Sequence, residues 1–162
     1  MSDDTQAINA LRAKLKGTNI NEQTLLATDY LNHLNEPIML FEMVADVPEL
    51  LEELAAWEPK SYVDHFADST FTDKDLAIEA YAVAPAIYKD AFDETIDNAR
   101  RCIETAIEAL STLCEQKRVD EVRVVATEVS EILGSLIGKA SSIINGQVDR
   151  VDQTQIDEIM DS

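Results

Sequence analysis

Three observations predict an all-α fold. Gly and Pro, the residues that punctuate a chain into turns, number only four each in 162 positions. Ala, Leu, Glu and Ile are abundant in their place, a composition that favours helices. Apolar residues also recur at three- and four-residue steps along two long stretches, the spacing of one helix face. A hydrophobic share of 46% is enough to fill the core of one domain of this length.

Taken in order, Ile8, Leu11 and Leu15 mark a first helix ending near Lys16-Gly17. Asn21 is a cap for a second, carrying Leu25, Leu26, Tyr30, Leu31 and Leu34, which Pro37 breaks or kinks. The apolar run Ile38 to Phe41, with Met43 and Val44, follows. Asp46-Val-Pro48 opens a helix to about Trp57, and Glu58-Pro59 ends it. Ser61 with Asp64 starts one or two turns through Phe66. Thr72 with Asp75 caps a helix to about Val83, and Ala84-Pro85 opens a long one.

That long helix has a stripe of Phe92, Ile96, Ala99, Ile103, Ala106, Leu110 and Leu113. A second stripe runs Val122, Val125, Val129, Ile132, Leu136, Lys139 and Ile143. Their phases differ, since continuing the first would reach Lys117, Asp120 and Val124. The chain therefore breaks at Gln116 to Asp120, where Lys117 and Arg118 suit a helix end and Asp120 a cap. The outcome is an antiparallel helical hairpin, 86–116 and 120–145. One long helix with a phase slip is the alternative, because no Gly or Pro forces the turn. Gly134 and Gly138, with Ser141 and Ser142 beyond, suggest close approach of another helix backbone. A neighbour within the chain comes first and a symmetric dimer partner next. Packed by the shorter N-terminal helices, the hairpin forms a four-helix-bundle-like body over 1–146 that also suits a homodimer.

A net charge of −19 repels nucleic acid and anionic lipid, and it favours fast encounter with a basic protein surface. A merely soluble acidic surface accounts for it equally well. No apolar run is long enough to span a membrane, and the acidic Met-Ser-Asp-Asp start lacks a signal-peptide layout. A cytoplasmic location is expected. Cys102 and Cys114 sit about 18 Å apart along one helix, too far to bridge, and read as reduced core residues.

The densest polar cluster is Asp29 to Glu36, where Asp29, Asn32, His33 and Glu36 share one side of a helix. Three readings compete. His33-x-x-Glu36 has ligand spacing, but a di-iron bundle wants Glu-x-x-His motifs that neither His33 nor His65 supplies, so no metal is expected. Asp29 and Asn32 form an acid–amide pair, the chemistry that orients a water at an aspartyl phosphate. Their spacing resembles the acid–Asn pair of the CheC and CheX phosphatase families, with Asp where those have Glu. The third reading is structural, with polar groups buttressing the kink at Pro37. No phosphate loop, nucleophile elbow or Cys-x-x-Cys occurs, and no cofactor is implied. Trp57, Tyr62, Phe66 and Phe71 read as a capping mini-core rather than a ligand pocket.

The final segment, 147–162, reads as a linker and a short docking helix. Asn145-Gly146 stops the preceding helix. Asp152 caps a new one with Gln155, and Val151 with Ile156 forms a hydrophobic staple. Ile156, Ile159 and Met160 then share one face, and Asp157, Glu158 and Asp161 the other. So short a helix needs a surface, either its own bundle or a partner's groove. Gln153 to Ser162 resembles the C-terminal helix of the chemotaxis phosphatase CheZ, which docks on the response regulator CheY. It is similar as well to the CheY-binding peptide of the flagellar switch protein FliM. The resemblance covers about ten residues. It implies a CheY-like receiver domain as partner, with Gln153 and Asp157 as polar contacts and Ile156, Ile159 and Met160 as anchors. The CheZ catalytic segment, Asp-Phe-Gln-Asp-Leu-Thr-Gly-Gln, has no match here. Asp149 and Gln153 have the right spacing but straddle the cap at Asp152. The expected role is thus a chemotaxis or two-component regulator. Phosphatase activity through Asp29 and Asn32 is secondary, and a small acidic flagellar or secretion chaperone, or a non-enzymatic interaction module, is the alternative.

Overall fold

A computed structural model describes residues 2–147. Among them lie seven α-helices and one 3-10 turn, and the only strand-like pairing is an isolated bridge between Ile20 and Ala27. The fold is all-α. Its spine is the hairpin of α6, Ala86–Glu115, and α7, Val119–Ile144. Around it pack α1 (Ser2–Leu15), α2 (Asn32–Met43), α3 (Leu50–Ala56), α4 (Tyr62–Asp68) and α5 (Lys74–Ala82). No described helix is long and apolar enough to cross a membrane.

The hairpin turn forms without Gly. Lys117 takes a left-handed φ of 58°. Its N–H donates to Cys114 O at 3.1 Å, and the Arg118 N–H reaches Leu113 O at 3.0 Å. These are the two bonds of a Schellman motif, which satisfy carbonyls that the helix end leaves open. At the far end of α7 the same motif recurs with Gly146 (φ 91°): Gly146 N–H donates to Ile143 O at 2.9 Å and Gln147 N–H to Ser142 O at 2.8 Å. Both breaks lie where the sequence predicts them. Asp120, expected as the cap of α7, lies inside its first turn instead.

Two cores occupy the two ends of the hairpin. One gathers Leu11, Leu15, Leu25, Tyr30, Tyr62, Phe66 and Phe92 with the last turn of α7. The other joins α2 and α3 to the rest of the hairpin through Leu40, Phe41, Leu54, Ile103, Leu110 and Leu133. The α6 stripe holds, with Ile96 and Leu113 half-buried at its margins. The α7 stripe is rotated. Ala126, Leu133 and Ala140 are buried, whereas Ile132 is 50% exposed and Lys139 faces outward. Because α7 packs on both α6 and α2, its buried row lies between those neighbours. Gly134 and Gly138 have no neighbour among the described residues within 4 Å of an added Cβ, so no described helix approaches them closely.

The expected helix from Asn21 to Leu34 does not form as one element. Asn21 Oδ1 does accept from Gln23 N–H and Thr24 N–H, at 2.8 and 2.9 Å. The chain then doubles back, with Leu25 N–H donating to Asn21 O and Asn21 N–H to Leu26 O. Leu25 holds a φ of 62° and is fully buried, as is Leu26. A left-handed leucine costs about 1–2 kcal/mol, which burial of about 1.5–3 kcal/mol per side chain offsets. Helix resumes as a 3-10 turn, Thr28–Leu31, and continues as α2 through Pro37 without ending there. Ser61 caps α4 as expected, its Oγ accepting from Asp64 N–H at 3.1 Å. Thr72 does not cap α5, which starts at Lys74 after Asp73. Cys102 and Cys114 are unbridged and half-buried on α6.

Candidate functional site

Asp29 and Asn32 are adjacent but not on one regular helix. Asp29 lies in the 3-10 turn, and Asn32 is the first residue of α2. Asn32 Nδ2 donates to Asp29 Oδ1 at 3.4 Å, and His65 Nε2 lies 3.1 Å from Asp29 Oδ2. Asn35 Nδ2 in turn reaches Asn32 Oδ1 at 3.5 Å. Both carboxylate oxygens thus have partners within the fold. Glu36 is exposed, and His33 packs on the loop that follows α3. The His33 ring stacks on Trp57 at 4.9 Å between centroids, and its Nε2 accepts the Lys60 N–H at 2.9 Å. Burial, then the charges of His65 and Lys60, push His33 down to about 4. Among the described residues, no group of three or more His, Cys, Asp or Glu is placed to hold a metal.

Beside this row lies a cleft of about 310 Å³. Its walls come from four parts of the chain: Tyr30 and His33, the Trp57–Ser61 loop, Tyr62 with Tyr81, and α6 from Phe92 to Arg100. Hydrogen bonds fix the rings. Tyr30 O–H donates to Lys60 O at 2.6 Å, and Ala27 N–H donates to the Tyr62 hydroxyl at 2.8 Å. Tyr62 stacks on Tyr81 at 4.4 Å, and Tyr81 O–H donates to Asp93 Oδ1 at 2.8 Å. The Lys89 ammonium sits 4.4 Å from the centre of the Tyr81 ring. The indole N–H of Trp57 is buried with no acceptor among the described residues.

Charge in the cleft is unevenly compensated. Lys60 pairs with Asp68 at 3.3 Å, and Arg100 with Asp97 and Glu104 at 2.5 and 3.1 Å. The Arg100 hydrogen bond holds the Asp97 carboxyl below the usual range. Asp93 has no ion pair among the described residues. Burial raises its pKa, against the opposing effects of Tyr81 and Lys89. Burial also pushes Tyr30 up to about 12 and raises Tyr62 and Tyr81 further. The tyrosines are therefore held as neutral phenols, and the His33 Nε2 lone pair is already used. This lining is suited to holding a ligand, and it presents no activated nucleophile.

Sequence reading identified part of this site and missed the rest. Tyr62 and Phe66 are core as expected, while Trp57 and Tyr62 also wall the cleft. Tyr81 and Asp93 meet across two helices, and no local pattern in the sequence joins them. Gln153, Ile156, Asp157, Ile159 and Met160 lie outside the described residues. No protein family, curated protein or solved structure matches this chain.

Proposed function

We propose that this protein is a recognition component of chemotaxis or two-component signalling, binding a CheY-like receiver domain through its C-terminal segment. The observation that carries the reading is the acidic-apolar pattern Gln153 to Ser162, placed just beyond a definite helix stop. The Gly146 motif closes α7 at Ile144, ahead of that pattern in the sequence. A net charge of −19 supports rapid encounter with a basic face of a partner. Recognition is favoured over catalysis because both oxygens of Asp29 are engaged by Asn32 and His65.

The test titrates receiver domains, with and without a phosphoryl mimic, against the full chain and a truncation ending at Gly146. Phospho-dependent binding that vanishes on truncation supports the proposal. Equal affinity for the two proteins sinks it. Asn32→Ala in a receiver dephosphorylation assay then addresses catalysis: an unchanged rate removes Asn32 from any chemistry.

A further inference from the structure

Of the charged groups lining the aromatic cleft, Asp93 alone forms no close ion pair among the described residues, with Lys89 acting on it only at longer range. We infer that the cleft binds a small organic cation, a protonated or quaternary amine, seated between the Asp93 carboxylate and the aromatic wall of Tyr30 and Tyr62. A partly desolvated carboxylate without a close counter-ion is costly, and a bound cation would relieve that cost. Aromatic rings attract cations through their quadrupoles, and this chain already does so internally with Lys89 over Tyr81. The basic groups at the rim do not oppose such a ligand, since Lys60 is paired with Asp68 and Arg100 with Asp97 and Glu104. An anion would meet Asp93 with no uncommitted base to hold it. A bare metal ion would find too few ligands, because no three-residue donor group is present among the described residues. The volume of about 310 Å³ suits a metabolite-sized molecule rather than a peptide. A chain of net charge −19 also raises the local concentration of cations.

Trp57, the single tryptophan of the chain, stands in the cleft wall and serves as reporter. The experiment titrates the full chain with choline and with dimethylbutanol, its uncharged carbon analogue, following Trp57 fluorescence. Choline is expected to give a saturable change, with dimethylbutanol at least roughly tenfold weaker. Asp93→Asn keeps the side-chain shape and an acceptor for Tyr81, and is expected to weaken choline roughly tenfold without moving the analogue. Lys89→Met removes, at a half-exposed position, the charge that acts on Asp93 from outside the cleft and is expected to tighten choline. Truncation at Gly146 should leave the affinity unchanged, which separates this result from receiver binding. Equal responses to choline and dimethylbutanol, or no saturable change with choline, would overturn the assignment, and so would full affinity in Asp93→Asn.

Discussion

The two ends of the hairpin are held together by different chemistry. Around the start of α6 and the end of α7 the core is aromatic and laced with buried polar ties. Thr24 O–H donates to Ile144 O at 2.6 Å, Ala27 N–H to the Tyr62 hydroxyl, and Tyr30 O–H to Lys60 O. Around the hairpin turn the core is mostly aliphatic, with Phe41 inside it and Trp57 packed at its edge, and is built chiefly from Leu, Ile, Val and Ala of α2, α3, α6 and α7. Aliphatic side chains are non-directional and close-pack wherever volumes fit. Hydrogen-bonded rings fix orientation. The cleft lined by Tyr30, Tyr62 and Tyr81 lies at this aromatic end.

The largest effects should come from deleting one anchor at each end. Phe66→Ala is expected to cost about 3–5 kcal/mol and Leu110→Ala about 2–5 kcal/mol, since both are fully buried. Chemical denaturation followed by far-UV circular dichroism and by Trp57 fluorescence reads both. The helices α6 and α7 run through both cores, so each variant should shift one common transition. Separate transitions for the two probes would show that the ends fold as independent units, and the comparison would need to be redrawn.

What could be read from the sequence follows the same division. The α6 stripe and both ends of the hairpin are local patterns, set by spacing and by residues within one turn of each break. The row on α7 misled by one position because Val125, Val129 and Ile132 form as good a stripe as Val122, Ala126, Val129 and Leu133. Only the position of α2 chooses between them. Residues 21–34 misled more deeply. Leu25, Leu26, Tyr30, Leu31 and Leu34 have helical spacing, yet Leu25 accepts a left-handed turn to reach the core. The cleft is formed by contacts such as Tyr81–Asp93 and His33–Trp57, which join separate elements. No local spacing encodes such pairs.

His33 offers a smaller perturbation confined to the aromatic end. Its folded-state pKa of about 4 lies below the ordinary histidine value of 6.5. The unfolded chain therefore binds a proton that the folded chain refuses in the window between them. Stability from this group is complete above about pH 6.5 and is lost as pH falls through about 4. Thermal unfolding between pH 7 and pH 4 should thus fall more steeply for the native chain than for His33→Gln, which can still accept from Lys60 N–H. Parallel profiles for the two proteins would mean that His33 titrates no differently in the folded and unfolded chains.

The smallest expected effects compare the C-terminal ends of α6 and α7 directly. Each closes a helix with the same pair of hydrogen bonds, but Gly146 stands at one left-handed position and Lys117 at the other. A side chain in that conformation costs about 1–2 kcal/mol, part of which the greater freedom of Gly in the unfolded chain returns. Lys117→Gly is therefore expected to stabilise the protein by about 0.5–1 kcal/mol. Gly146→Ala should destabilise it by about 1–2 kcal/mol. Its Cβ would also meet the Gln23 side chain at 2.8 to 3.1 Å, displacing an amide that donates to the Tyr88 hydroxyl. Opposite signs in equilibrium denaturation are the expected result. If Lys117→Gly were neutral, the left-handed strain at the hairpin turn would already be compensated by neighbouring contacts. The Arg118–Glu121 ion pair is the nearest candidate, and a Glu121→Gln background would then expose the missing gain.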